Sequence, residues 1–219
     1  MDRYDRRVRL FAAGLASLAG YVDACGFILS KGFFVSFMSG NSTRLAVGVA
    51  EALPDALAAG GLILAFLLGV TAGSLYGRAA GERRAAAVLL MIAALIAGAA
   101  VSSWAGYLHA ALALTAFAMG AENAIFEQDG QVRIGLTYMT GSIVKLGQGL
   151  ASAVSGGDRW AWLPYLLLWG GFVAGAVCGA AAAASAQSAA LWIGSALALS
   201  FAIVAGSILD TGRSRQAGC

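Results

Sequence analysis

The residues of this chain that could do chemistry come in two matched sets, about a hundred positions apart. In the first, Gly20-Tyr21-Val22-Asp23-Ala24 leads to Met38-Ser39-Gly40-Asn41 and then to Arg44. In the second, Gly120-Ala121-Glu122-Asn123-Ala124 leads to Met139-Thr140-Gly141-Ser142 and then to Lys145. The offset is 100 at the leading glycines and 101 at the methionines. It reaches 102 at Gly69, Gly73 and Gly77 against Gly171, Gly175 and Gly179. A carboxylate or amide, a small polar turn and a cation thus recur in the same order. Such a set can bind a polar solute, carry a proton, or tie its own segments together.

Two readings stay open on residue types alone. In one, Asp23 pairs with Arg44 and Glu122 with Lys145, and the charges only hold the segments in place. In the other, Arg44 and Lys145 contact a substrate while Asp23 or Glu122 carries a proton or senses a cation. The candidate substrate-binding residues are then Asp23, Ser39, Gly40, Asn41, Arg44, Glu122, Asn123, Thr140, Gly141 and Lys145. Asp23, Arg44, Asn123 and Lys145 would line the pathway. Either way, an ionisable group inside a bilayer costs at least about 2.5 kcal/mol and needs a partner or water.

The elements that must position these residues are apolar. The chain is 60% hydrophobic and only 11% charged, with a mean hydropathy of +0.79. That is too little charge to cover a soluble surface, so lipid is the expected solvent. A net charge of +3 without a basic stripe argues against nucleic acid as a partner. Six stretches are long and apolar enough to cross a bilayer: about 10–28, 57–77, 85–104, 108–126, 162–183 and 189–209. Two shorter segments, 33–50 and 134–153, hold the polar breaks. The expected fold is an all-α integral membrane protein. It forms one membrane domain over residues 1–219, with repeat one at about 10–104 and repeat two at about 108–209.

Loop charge predicts the topology. Arg3, Arg6, Arg7 and Arg9 place the N-terminus in the cytoplasm. If the short segments are re-entrant, Arg78, Arg83, Arg84, Arg133, Arg159 and the tail with Arg213 and Arg215 also fall inside. If all eight segments cross, the Arg78–Arg84 loop falls outside and the rule breaks. Three crossings per repeat is an odd number, so the second copy is expected to be inverted, a pattern common in transporters. Both termini are then cytoplasmic, in a bacterial inner membrane.

Gly40 and Gly141 are the expected backbone breaks, with Ser39, Asn41, Thr140 and Ser142 capping short helices behind them. Exposed N–H groups at such helix starts favour an anion. The glycine stripes are expected to pack inside the bundle, with a homodimer face as the alternative. Trp104, Tyr107, Trp160, Trp162 and Tyr165 read as interfacial aromatics, and His109 as an interface residue. Glu127, Asp129 and Arg133 read as a solvated loop. Cys25, Cys178 and Cys219 lack metal-ligand spacing. No metal site, cofactor motif or nucleophile–base pair is visible, so no enzyme is expected.

The ordered motifs, from Gly20-Tyr21-Val22-Asp23-Ala24 and Phe33 through Met38-Ser39-Gly40-Asn41 to Met119-Gly120, Asn123-Ala124 and Tyr138-Met139-Thr140-Gly141, resemble the YoaK family of bacterial multi-pass membrane proteins of unknown function. The resemblance spans essentially the whole chain. It implies a small integral membrane protein of the kind often suspected of transport, and it carries no substrate. The family pattern usually has Gln where this chain has Glu122. The expected function is transport or channelling of a small polar solute, anions included, at the repeat interface. A non-transporting scaffold or sensor acting through a protein partner is the alternative.

Overall fold

The structure is a computed structural model describing residues 5–128 and 130–216, so Arg3, Asp129 and Cys219 lie outside the described residues. Eight α-helices follow one another: α1 (Arg6–Leu29), α2 (Met38–Glu51), α3 (Leu53–Ala79), α4 (Arg84–Trp104), α5 (Leu108–Glu122), α6 (Met139–Val154), α7 (Leu163–Ala186) and α8 (Ala190–Gln216). Between α5 and α6 a short antiparallel hairpin pairs β1 (Glu127–Gln128) with β2 (Gln131–Val132). The ends follow local chemistry. Pro54 and Asp55 sit in the first turn of α3 and Arg78 in its last, each at the end that suits it. Gly81 and Gly106, at φ +57° and +87°, take the left-handed conformations that reverse the chain on either side of α4.

Four stretches are long and apolar enough to cross a membrane: Arg6–Leu29, Leu53–Ala79, Gly81–Trp104 and Leu163–Gly206. The last contains both α7 and α8. The helices fall where the six apolar stretches predict them, with one difference. The fourth stretch was expected to run to 126, but α5 has 15 residues and ends at Glu122. At 1.5 Å per residue it reaches about 22 Å, short of a hydrocarbon core of about 30 Å. The cause is Asn123, whose side-chain amide donates back to the carbonyls of Met119 (3.1 Å) and Gly120 (3.3 Å). The chain then turns through 124–126 instead of continuing.

The breaks also differ from expectation. Gly40 and Gly141 do not interrupt the helices; both lie inside the first turns of α2 and α6. Phe37 and Tyr138 flank the starts, and no side chain caps either one. Ser39, Asn41, Thr140 and Ser142 are therefore not N-caps. Ser42 bonds back to the Met38 carbonyl and Asn41 is engaged by the preceding segment, so neither is left to cap. The irregular backbone lies earlier, at 30–37 and 133–138.

Tertiary packing is built on the glycine stripes. α7 packs against α1, with Gly171 facing Ala13, Gly175 facing Ser17 and Gly179 facing Tyr21. α3 packs against α5, with Gly69 facing Phe117 and Gly73 facing Ala121. Residue numbers rise together in both pairs, so each pair runs parallel. A Cβ added at Gly73 would lie 2.7 Å from the Ala121 Cα, closer than real atoms approach. The stripes let backbones touch. α4 packs against α8 in the opposite sense: Ser195 Oγ donates to the Ala93 carbonyl (2.8 Å), and Ser103 and Ser188 share a hydroxyl contact (2.7 Å). Leu15, Leu18, Leu89, Ile92, Ile96, Met119 and Leu191 fill the core between α1, α4, α5 and α8. Leu64, Leu67, Leu75, Val177 and Ile203 point outward. An apolar rim around an apolar core fits lipid as the surrounding solvent.

Candidate functional site

The first polar set is assembled where α1 ends. Lys31 (φ 59°) and Gly32 (φ 129°) reverse the chain after Leu29. Residues 33–36 then run back irregularly, with Val35 and Ser36 buried. Buried main-chain N–H and C=O groups need partners, and no strand lies alongside to supply them. Side chains supply them instead. Asp23 is buried, and its Oδ1 accepts the N–H of Val35 (2.8 Å) and of Ser36 (2.6 Å). Asn41 is fully buried in the first turns of α2. It accepts the Phe34 N–H at 3.0 Å and donates to the Phe34 carbonyl at 2.6 Å, as a neighbouring strand would.

The second set uses different donors for a similar task. Besides closing α5, Asn123 accepts a hydrogen bond from the Thr137 hydroxyl (3.2 Å), tying 133–138 back to the helix. Ser142, at the position matched to Asn41, is buried. The hairpin between them is latched from outside. Arg78 Nε and Nη2 donate to Glu127 Oε1 at 3.1 and 2.9 Å. Arg84 donates to the Glu127 carbonyl and, at 3.3 Å, to that of Gly77. Burial alone would raise the Glu127 carboxyl. The Ser74 hydroxyl, the Arg78 guanidinium and the Arg84 charge outweigh it, leaving the group below its usual value.

The expected pairs Asp23–Arg44 and Glu122–Lys145 are not made. Asp23 is saturated by main-chain donors, and both cations rest on aromatic faces. The Arg44 guanidinium lies 5.0 Å from the Phe33 ring centroid, and the Lys145 ammonium 5.6 Å from that of Tyr165. Arg44 is half-buried and borders a cavity of about 290 Å³ lined also by Thr43, Val47, Gly48, Glu51, Ala52 and Asp55. Lys145 is exposed and is not among those lining residues. Glu122 is fully buried, and neither carboxyl oxygen has a hydrogen-bond partner.

The structure thus brings Asp23 and Asn41 together on one segment, with Arg44 beside it, and places Asn123 on the matching segment. Ser39, Thr140 and Gly141 are exposed, and Gly40 is half-buried. Sequence reasoning missed Thr137, Glu51 and Asp55. Thr137 had a signal, because Ser36-Phe37-Met38-Ser39-Gly40 matches Thr137-Tyr138-Met139-Thr140-Gly141 residue for residue in type. Glu51 and Asp55 had none, since only the close approach of α2 and α3 turns them toward Arg44.

A family model described as "Protein of unknown function (DUF1275)" matches residues 11–204. The chain belongs to this family. A relative from Rhizobium meliloti (strain 1021), described as UPF0700 transmembrane protein RA0705, is 38% identical over 187 residues. The match covers 85% of this chain and 81% of the relative. No solved structure matches the chain. Family membership and the apolar helices make this an all-α membrane protein whose family has no assigned function.

Proposed function

We propose that the protein carries a small polar solute, anions included, through the membrane, with Arg44 and Lys145 as its charged contacts. The observation that carries this reading is the state of those two cations. Each sits early in a short helix, behind a buried irregular segment, over an aromatic ring and without the expected carboxylate. Irregular backbone at membrane depth is tolerated where protein or water covers it, and broken helices of this kind mark substrate sites in transporters. A cation resting on a ring still has its donors available for a negatively charged group, and the cavity at Arg44 is open to one. Asp23, Asn41 and Asn123 then shape the site by fixing main chain, while Ser39, Gly40, Thr140 and Gly141 lie on the same first turns. No enzymatic step is part of the reading. The narrower YoaK grouping rests on the motif resemblance alone.

Two inverted copies belong to the same proposal. Supporting it, α4 and α8 hold matched positions in the two copies and run antiparallel. Loop charge adds six crossings, with both termini in the cytoplasm of a bacterial inner membrane. Any homodimer would have to use a face other than the glycine stripes, which already hold α1 and α5. A cysteine at Glu82 tests the orientation, because labelling from the outside contradicts it.

The functional test is uptake into liposomes by Arg44→Ala and Lys145→Ala. Solutes come from a thermal-shift screen of small anions, amino acids and organic acids against the purified protein, since a ligand of the native state raises its stability. Uptake is expected to fall in both variants with folding intact. Uptake unchanged in both would remove the pathway assignment and favour a scaffold or sensor acting through a partner.

A further inference from the structure

Glu122 stands apart from every other polar group in the two motifs. It is fully buried, and neither oxygen has a hydrogen-bond partner. Its neighbour Asn123, by contrast, uses both ends of its amide. The elements packed against α5 are α3, α4 and α1, and their charged groups are committed elsewhere or distant in the chain. On α3 and α4, Arg78 and Arg84 hold Glu127, and Asp55 lies at the far end of α3. On α1, Asp23 is bound to main-chain N–H groups, while Arg6, Arg7 and Arg9 occupy its first turn. In the connection that follows, Glu127 is paired and Arg133 lies just past β2. None of them donates to Glu122.

An isolated carboxylate in apolar surroundings is far costlier than the neutral acid, so the group stays neutral unless something compensates it. No group of three or more His, Cys, Asp and Glu that could hold a metal ion exists among the described residues. A proton is the cation that a lone carboxyl can hold. What covers this carboxyl is also distinctive. Glu122 is the last residue of α5, and Ala124, Ile125 and Phe126 are buried immediately after it. The hairpin beyond is latched to α3 through Arg78, whose side chain is 58% exposed, so the cover is held by a bond that water can reach.

We propose that Glu122 is a proton site, which keeps its proton while residues 123–138 cover it and releases it to water when that cover opens. On opening, the carboxyl O–H bond breaks, the electron pair stays on the carboxylate, and water takes the proton. Closing reverses the step. Protonation of Glu122 stands independently of transport; that the proton travels with a solute rests on the transport reading.

Infrared difference spectra of the purified protein, wild type against Glu122→Gln at neutral pH, test the resting state. Gln keeps the shape of the side chain. A protonated-acid carbonyl stretch is expected in the wild type and absent from the variant. A carboxylate signature at Glu122, or an acid band surviving in the variant, would overturn the proposal. The cover is tested with Arg78→Gln combined with Arg84→Gln. A water-soluble carbodiimide is expected to modify Glu122 in this variant and to spare it in the wild type, as read by peptide mass. Equal modification of both proteins would remove the role of the cover. In liposomes loaded with a pH-sensitive dye, solute uptake by the wild type should move protons, and uptake by Glu122→Gln should not. Uptake without proton movement in both would break the coupling and leave the transport reading standing. A wild-type acid band with no uptake of any solute would do the reverse.

Discussion

The two irregular segments, 30–37 and 123–138, solve one problem with different chemistry. Each brings buried main chain back against the helix it has just left. The first is held by a carboxylate, Asp23, which accepts two N–H groups, and by Asn41, which mimics a neighbouring strand. The second is held by a neutral amide, Asn123, by the Thr137 hydroxyl and by an external ion pair. A carboxylate exists there too, one position earlier at Glu122, where no donor meets it. The contrast teaches that a buried acid here is structural or poised according to one shift in position. At position 23 main-chain donors converge on it. At 122 the side chain enters the packed core instead.

Removing the best-satisfied group should break this comparison most severely. Asp23→Ala orphans the Val35 and Ser36 N–H groups and should cost roughly 3–5 kcal/mol of unfolding free energy in detergent. Asp23→Asn keeps an acceptor and should cost clearly less. Equal losses in the two variants would mean that the carboxyl oxygen is not what holds the segment.

The reciprocal change at the matched position should run the other way. Asn123→Asp sets acceptor oxygens against the Met119 and Gly120 carbonyls and should cost roughly 2–4 kcal/mol. The same pair of residue types thus gives a mild effect at 23 and a severe one at 123. If denaturation midpoints showed equal costs, the two clamps would be interchangeable and the distinction would fail.

The paired glycines sharpen the contrast at smaller scale. A Cβ at Gly40 would lie 2.5 Å from Phe37 Cδ1, whereas one at Gly141 meets nothing within 4 Å. Gly40→Ala should therefore cost about 1 kcal/mol by displacing the ring. Gly141→Ala should stabilise α6 by about 0.5–1 kcal/mol through helix propensity. Thermal midpoints moving in the same direction would show that the first turns of α2 and α6 are alike after all.

The latch of the second segment should give the smallest effect. Arg78→Gln removes a largely exposed ion pair and should cost only about 0.2–1 kcal/mol. Hydrogen exchange in the hairpin should nevertheless rise. Because the Glu127 carboxyl is held below its usual value, its contribution is present above the ordinary glutamate value of about 4.3. It is lost as pH falls through the lower folded value. Exchange should therefore quicken on acidification in the wild type and change less in Arg78→Gln. Quickening on alkalisation would contradict the assigned pairing.

The sequence by itself determined the membrane class, the positions of the long helices, the pairing of the motifs and the close packing at the glycine stripes. Each follows from local composition and spacing: apolar runs need lipid, and glycine at every fourth residue makes a flat stripe on a helix. It also picked out Asp23, Asn41 and Asn123 as residues with work to do. What each one touches was decided only by the tertiary structure. A carboxylate and a cation six to seven residues past a glycine read as an ion pair, but unpaired main chain competes for the same oxygens. At Asp23 the main chain wins, which sends Arg44 to Phe33. Glu122 could not be read as isolated, because isolation is a property of every neighbour at once. Where the helices break was settled the same way, by Asn41 and Asn123 choosing main-chain partners that the linear sequence does not display.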